Sequence, residues 1–443
     1  MRSRVFDQRE FDCFISYGSE DREIADRLKE LIEQAGLKVF LDIRNFHAGN
    51  EVVEGLATKI GQSKSCLALV SQRSIEKKYF KEELRLASVE AINHDSFRLI
   101  VAVIDQTINP TDHFKSLSVR SWLSMPNGEL TITSVRDLML ALRGRESLPQ
   151  SHQPHVYVSC SWRDGEVHPR EAILREMKAQ GAFLIGDSLD QQTFKEDGVA
   201  RITRIMSGCS GFVGIYPDRR DSHKPLEELY KYFREELRIA EKLGLVKSLF
   251  CANVTSLPDS IRKELVFEWR EGEPGLDLKS QISGFLDDVG TRHPHTFLAT
   301  DFKQSFERNQ AAKDIMEFLM GMHCRMGREV LGNSLREQLR TLIQDANLVV
   351  ADLACSFEGE SSDLKVNINT CVEAGMAIAH LRPLFLTALD ATLRDPKAKK
   401  TDAIPFFFRD HSIEWYRSDS EFLANIYKIG FNRRRRVIND ELP

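Results

Sequence analysis

The chain has 443 residues, of which 42 % are apolar and 29 % charged, and a formal net charge of −5. That length exceeds one ordinary hydrophobic core and implies about three domains of common size. The composition is that of a soluble globular protein, and the acidic balance excludes a general attraction to nucleic acid, which would need a local basic patch.

From the N-terminus, "MRSRVFDQRE" lacks the apolar core of a secretory leader. "DCFISY", from Asp12, is rich in aromatic and β-branched residues and ends in small polar ones, as a buried parallel strand does. "IADRLKELIEQAG" follows as an amphipathic helix closed by glycine, and "KVFLD" as a second strand ending at Asp42. "LATKIGQSKSCLALVS" supplies another helix and a third strand, and "EELRLA", with Glu83 and Ala87, opens a further helix.

The same order then recurs. The second pass reads "HVYVSC" from His155, "EAILREMKAQG", "FLIGD" ending at Asp187, "ITRIMSGCSGFVGIYP" and "EELRIA" with Glu236 and Ala240. The third is looser: "HTFLAT" from His295, "EVLGN" ending at Asn333, "LRTLIQDANLVVADLA" and "EAGMA" with Glu373 and Ala377. Polar stretches at Arg143 to Pro154 and Gly290 to His295 read as linkers. Strands alternating with helices imply crossover connections and parallel sheets covered on both faces. The fold class is therefore α/β, with three consecutive flavodoxin- or Rossmann-like parallel-sheet domains at 1–148, 149–290 and 291–443.

The longest apolar run, "FRLIVAVI", is far shorter than a bilayer span, so no membrane partner is expected. Eight scattered cysteines without a C-x-x-C pair suit a reducing cytoplasm and argue against a structural metal. The run Arg433 to Arg436 is read as a solvated tail behind the last helix, so nucleic acid is not an expected partner.

Open parallel sheets bind ligands at the carboxyl ends of their strands. That rule gathers Ser16, Tyr17, Asp42, Ser71 and Glu83 at one edge of the first domain. Phe46, in the polar loop after Asp42, either stacks on a purine or anchors its loop. Asp42 either touches ligand or turns the loop. In "KKYFKEEL" two carboxylates stand side by side, Glu82 as the solvent-facing neighbour and Glu83 against the apolar stripe. An acidic residue in a first helical turn also complements the helix dipole, which is the structural reading of each glutamate taken alone.

"DCFISYGSED", "KVFLDIRNFHAGN", "LVSQRS" and "YFKEEL" resemble the successive motifs of a TIR (Toll/interleukin-1 receptor) domain of bacterial type over about the first third of the chain. In enzymatic members the glutamate of a W-C-x-x-E motif supports cleavage of NAD at the nicotinamide–ribose bond. Here the motif is Tyr79-Phe80-Lys81-Glu82-Glu83. The resemblance thus implies a catalytic Glu83, with Tyr79 keeping a flat ring and Ser16, Tyr17, Asp42, Phe46, Ser71 and Tyr79 as the substrate-binding set. It further implies NAD as substrate with no resident cofactor or metal, self-association through TIR domains, a cytoplasmic location and a role like that of anti-phage defence effectors. Whether the ADP-ribose product is linear or cyclic stays open. The rival reading is a TIR adaptor that works through TIR–TIR contacts without catalysis.

Residues 149–290 resemble a diverged TIR-like or Rossmannoid unit, read as serving recognition or assembly. In 291–443, "NLVVADLACSFEGESSDLKVNINTCVEAGMA" resembles nucleoside 2-deoxyribosyltransferase-like folds, with a strand ending in Asp352 and a helix opening toward Glu373. Asp352, Asn367 and Glu373 form a possible second ligand site there. The favoured reading is a nucleotide-type activating ligand held by residues 149–443 without turnover, and the alternative is nucleoside glycosyl transfer or hydrolysis by the last domain.

Overall fold

The computed structural model describes residues 9–41, 51–94, 97–105, 107–108, 122–143, 153–161, 170–187, 197–219, 224–262, 264, 266–268, 277–290, 295–301, 306–327, 335–360, 363–398, 404–430 and 435–438. Three parallel sheets appear in chain order, as the repeated strand–helix pattern predicts.

The first is built from β1 (Cys13–Ser16), β2 (Val39–Leu41), β3 (Ser65–Val70), β4 (Arg98–Val103) and β5 (Leu123–Ser124), in the order β2-β1-β3-β4-β5. The strands are parallel throughout. The helices α1 (Arg22–Gln34), α2 (Glu51–Gly61) and α3 (Lys78–Asn93) connect β1 to β4 in turn, and α4 (Ile132–Leu142) follows β5. Gly36 ends the first crossover at φ +81, a backbone shape that only glycine adopts without strain. Phe14, Leu56, Cys66, Phe80, Leu84 and Phe97 form the core on the α3 side.

The second sheet contains β6 (His155–Cys160), β7 (Phe183–Asp187), β8 (Gly211–Tyr216), β9 (Val246–Cys251) and β10 (Val266–Glu268). Its helices are α5 (Arg170–Ala179), α6 (Asp197–Met206), α7 (Lys231–Lys242) and α8 (Leu278–Gly290). Two apolar clusters cover it, one around Tyr157, Phe212, Tyr216 and Phe233 and one around Val158, Leu184, Phe250 and Phe285. Burial on both faces explains why its strands read as continuous apolar runs.

The third sheet is formed by β11 (His295–Ala299), β12 (His323–Met326), β13 (Leu348–Asp352), β16 (Leu384–Leu389) and β17 (Ile413–Tyr416), ordered β12-β11-β13-β16-β17. A two-stranded antiparallel hairpin, β14 (Ala354–Phe357) with β15 (Leu364–Val366), precedes Asn367. The helices are α9 (Phe306–Met320), α10 (Leu335–Asp345), α11 (Ile368–Ala379) and α12 (Asp419–Gly430).

Two expectations are corrected. The second strand of the third pass is β12, upstream of "EVLGN", which lies outside the described residues. Its burial alternates between exposed and buried, so "HCRM" offers no apolar run to read. The end of the arginine run is not a free tail: β18 (Arg435–Val437) adds to the second sheet, antiparallel to β7. A pairing between segments so far apart in sequence leaves no local signal.

The chain forms two compact units, one of Met1–Glu146, Lys303–Ile315 and Glu414–Arg433, the other of Ser147–Phe302, Met316–Ile413 and Arg434–Pro443. Within the first, α12 packs on α1 and α4. Gln34 donates to Asn425 Oδ1 at 3.2 Å, Ser420 donates to the Leu130 carbonyl at 3.0 Å, and the Arg308 guanidinium lies 4.2 Å from the Phe422 ring centre. No helix among the described residues is long and apolar enough to cross a membrane. All eight cysteines are free thiols, seven of them buried.

Candidate functional site

The order of the first sheet reverses between β1 and β3, and ligands of open α/β sheets enter at the carboxyl ends beside such a reversal. Ser16 is the last residue of β1 and lies opposite Ala68 in the parallel ladder. Its hydroxyl is fully buried and donates to Oε2 of Glu83.

Glu83 comes from α3, whose buried stripe is Phe80, Leu84, Ala87, Ser88 and Ala91. Position 83 falls on that stripe, one turn after Phe80, and the side chain is 1 % exposed. A carboxyl survives there because the strand-end hydroxyl satisfies one of its oxygens. This explains the doubled acid of the sequence: the neighbour Glu82 faces outward and binds Arg85, at 2.6 Å from Nη2 and 2.9 Å from Nε. The hydrogen bond from Arg85 lowers the Glu82 carboxyl below its usual range. Burial, together with the nearby charges of Cys13 and Glu83, pushes the Cys66 thiol well up.

The other expected residues divide. Tyr17 is buried, whereas Tyr79, one turn before Glu83, is 39 % exposed and Phe80 takes the core position. Ser71 belongs to a separate polar group: its hydroxyl donates to Asp21 Oδ2 at 2.6 Å, and its amide donates to Ser74 Oγ at 2.8 Å. Asp21 was not read from the sequence as part of this edge; burial raises its carboxyl. Gly18 allows the approach, since a Cβ there would stand 3.0 Å from Asp21 Oδ2 and 3.2 Å from Ser74 Cα. Asp42 and Phe46 lie outside the described residues.

The second sheet repeats the constellation with more donors. Ser159, opposite Gly214 in the ladder, donates to Glu236 Oε2 at 2.5 Å, and the Tyr157 hydroxyl donates to Oε1. Burial pushes the Glu236 carboxyl up to about 8 despite these hydrogen bonds. Beside it Asp187 is paired with Arg201, Nη2 to Oδ2 at 2.7 Å, both side chains buried. "EELRIA" pointed to Glu236, but nothing local marked Tyr157 or Arg201 as its neighbours.

In the third sheet Asp352 accepts from Thr387 Oγ1 at 3.2 Å. Asn367 caps α11, its Oδ1 accepting from the amides of Asn369 at 2.9 Å and Thr370 at 3.2 Å. Glu373 is buried on the same helix, and burial raises its carboxyl to about 7.

With this geometry in view, comparison with known proteins is informative for one part of the chain. A family model described as "TIR domain" matches residues 13–138. Residues 13–138 form a TIR domain. A protein named Toll-like receptor 4 from Pinctada imbricata is 26 % identical over 125 residues, which is 27 % of this chain and 14 % of that protein. The chain therefore spans only a small part of that relative's length. The crystal structure of the TIR domain of the Toll-related receptor TRR-2 from Hydra magnipapillata is similar with 22 % identity and a TM-score of 0.25, covering 30 % of this chain and 98 % of that one. A metazoan TIR-STING receptor from C. gigas is similar with 13 % identity and a TM-score of 0.19, covering 63 % of this chain and 97 % of the other. The TIR match takes in β1 to β5 and most of α4, and so includes Ser16, Ser71 and Glu83.

Proposed function

We propose that the TIR domain cleaves NAD at the nicotinamide–ribose bond, with Glu83 as the carboxylate beside the ribose. The observation that carries this reading is a buried carboxyl at the carboxyl edge of the first sheet, oriented by Ser16. Nicotinamide in NAD is already cationic, so it departs with the bonding electron pair and needs no acid. The barrier lies in the oxocarbenium-like ribose left behind, as in glycoside cleavage. A carboxylate fixed next to that sugar accepts its hydroxyl hydrogens and stabilises the positive charge as it develops. Such preorganised electrostatics are worth about 3–4 kcal/mol, a hundredfold or more in rate. Water adds to the anomeric carbon and releases ADP-ribose and a proton; capture by the substrate's own adenine or ribose gives a cyclic product instead.

Glu83 is 1 % exposed, and in this reading that burial corresponds to a resting form. Catalysis requires the sheet edge to open to the dinucleotide, and self-association of TIR domains gated by the C-terminal domains is the expected trigger. The protein acts in this reading as a signalling or defence effector that depletes NAD.

The same burial supports a second reading, in which Glu83 is a satisfied core acid and the domain is an adaptor working through TIR–TIR contacts. Nicotinamide release from NAD by the full chain, with and without a crowding agent, separates the two. Glu83→Gln and Glu83→Ala are expected to reduce release at least a hundredfold with an unchanged circular dichroism spectrum. Release by both variants at the parental rate would remove Glu83 from the mechanism, and no release under any condition would favour the adaptor.

A further inference from the structure

The outward face of α11 carries no charge. Its exposed residues are Ile368, Asn369, Val372, Ile378 and Ala379, and its one charged side chain, Glu373, is buried. In the corresponding place of the second sheet, α7 exposes Lys231, Arg238, Glu241 and Lys242 instead. Leu381 extends the apolar face just past the helix end and is 81 % exposed, with Ile368 at 76 % and Val372 at 50 %. Single apolar residues scattered over a surface need no account, but a run of them along one helix marks an interaction surface.

Two features of this face work against the fold that carries them. Leu381 directly follows the helix cap His380 at φ +55, the left-handed shape that glycine or asparagine takes more readily. The amides of Leu381 and Arg382 close the helix by donating to the carbonyls of Ile378 and Ala377, so that shape is fixed. The leucine side chain stands in solvent, where no packing offsets the strain. Gly375 lies inside α11, where glycine weakens a helix, yet a Cβ there would meet nothing within 4 Å. The chain's own packing therefore requires neither residue. A second backbone brought close to Gly375, with apolar side chains against Leu381, requires both.

The spacing identifies that second body. Val372 and Ile378 stand three residues to either side of Gly375, and Ile368 and Leu381 stand seven and six away. Antiparallel pairing of two such helices about a two-fold axis at Gly375 sets Val372 of one copy against Ile378 of the other, and Ile368 against Leu381, each contact occurring twice. Charge agrees: copies of a chain with net charge −5 repel one another, and they approach most easily through a face without charged side chains. Two such patches together bury less than about 1,200 Å², the lower limit of stable interfaces, so the pair is weak and forms as concentration rises. We propose that α11 is the contact face of a reversible two-fold dimer, with Gly375 on its axis. This contact is separate from self-association of TIR domains and stands whether or not the TIR domain cleaves NAD.

The test is sedimentation velocity of the full chain over a range of concentrations. The parent is expected to pass from monomer to dimer as concentration rises. Val372→Asp is expected to raise the dissociation constant at least tenfold with an unchanged circular dichroism spectrum. Leu381→Gly is expected to weaken the dimer while raising the thermal midpoint of the dilute monomer, opposite shifts that a merely structural role would not give. That variant also keeps the test open if the aspartate variant folds poorly. Gly375→Cys is expected to form a cross-linked dimer on oxidation, where the parent forms none, because the axis brings the two copies of position 375 together. Ile92→Asp, at an exposed position of α3 in the TIR domain, is expected to dimerise like the parent. The proposal is overturned by a parent that stays monomeric throughout, by Val372→Asp and Leu381→Gly dimerising as the parent does, by no cross-link in Gly375→Cys, or by loss of the dimer in Ile92→Asp.

Discussion

The first and second sheets hold the same carboxyl on the same helix position and treat it differently. Glu83 meets Ser16, and the residue two places earlier on that strand is Phe14, a ring without a hydroxyl. Glu236 meets Ser159, and the corresponding residue is Tyr157, whose hydroxyl closes on the second carboxyl oxygen. Asp187, paired to Arg201, completes the buried cluster around it. The difference teaches that a tyrosine in place of a phenylalanine two residues before the serine gives the acid of the second sheet a further donor from its own strand.

The largest expected effect tests that buried cluster. Arg201→Met leaves Asp187 buried without its counter-ion, and breaking such a pair costs about 3–5 kcal/mol; chemical denaturation should show it as a lower midpoint. If the variant unfolds like the parent, the cluster is not what holds this part of the second sheet.

Next in size is the response to pH. Burial raises the folded Glu236 carboxyl from its ordinary 4.5 to about 8, so between those values the folded chain binds a proton that the unfolded chain has released. The stabilisation is complete below pH 4.5 and is lost as pH rises through 8. Unfolding free energies across that window should fall more steeply for the parent than for Glu236→Gln. Equal slopes would mean that Glu236 stays ionised in the fold.

Exchanging the ring oxygen sharpens the comparison further. Tyr157→Phe removes a donor to a buried acid and is expected to lower stability by about 1–3 kcal/mol, read by denaturant titration. Phe14→Tyr makes the reverse change, and by occupying the Glu83 carboxyl it should slow nicotinamide release about tenfold. An active Phe14→Tyr variant with full rate would show that ring and carboxyl do not meet.

Much of this organisation was legible in the sequence. Apolar periodicity placed α1, α3 and α7, and the recurrence of Glu-x-x-x-Ala put three acids at one helical position. What was hidden depends on register between distant segments. The Ser16–Glu83 contact joins residues 67 positions apart, and the Tyr157–Glu236 contact joins residues 79 apart. "RITRIM" reads as an ordinary amphipathic helix, with no sign that Arg201 would turn inward to Asp187. Nothing in the sequence around Asp21 marks its hydrogen bond to Ser71, 50 positions away, beside the close approach at Gly18.

The position of α12 bears on how the protein is made. Because this helix, near the end of the chain, packs on α1 and α4, the first unit cannot be completed when its own strands leave the ribosome. The faces of α1 and α4 that it covers stay bare until about residue 430 has been synthesised. The strands of the first domain are thus made long before the helix that covers α1 and α4, and deleting α12 bares those two helices.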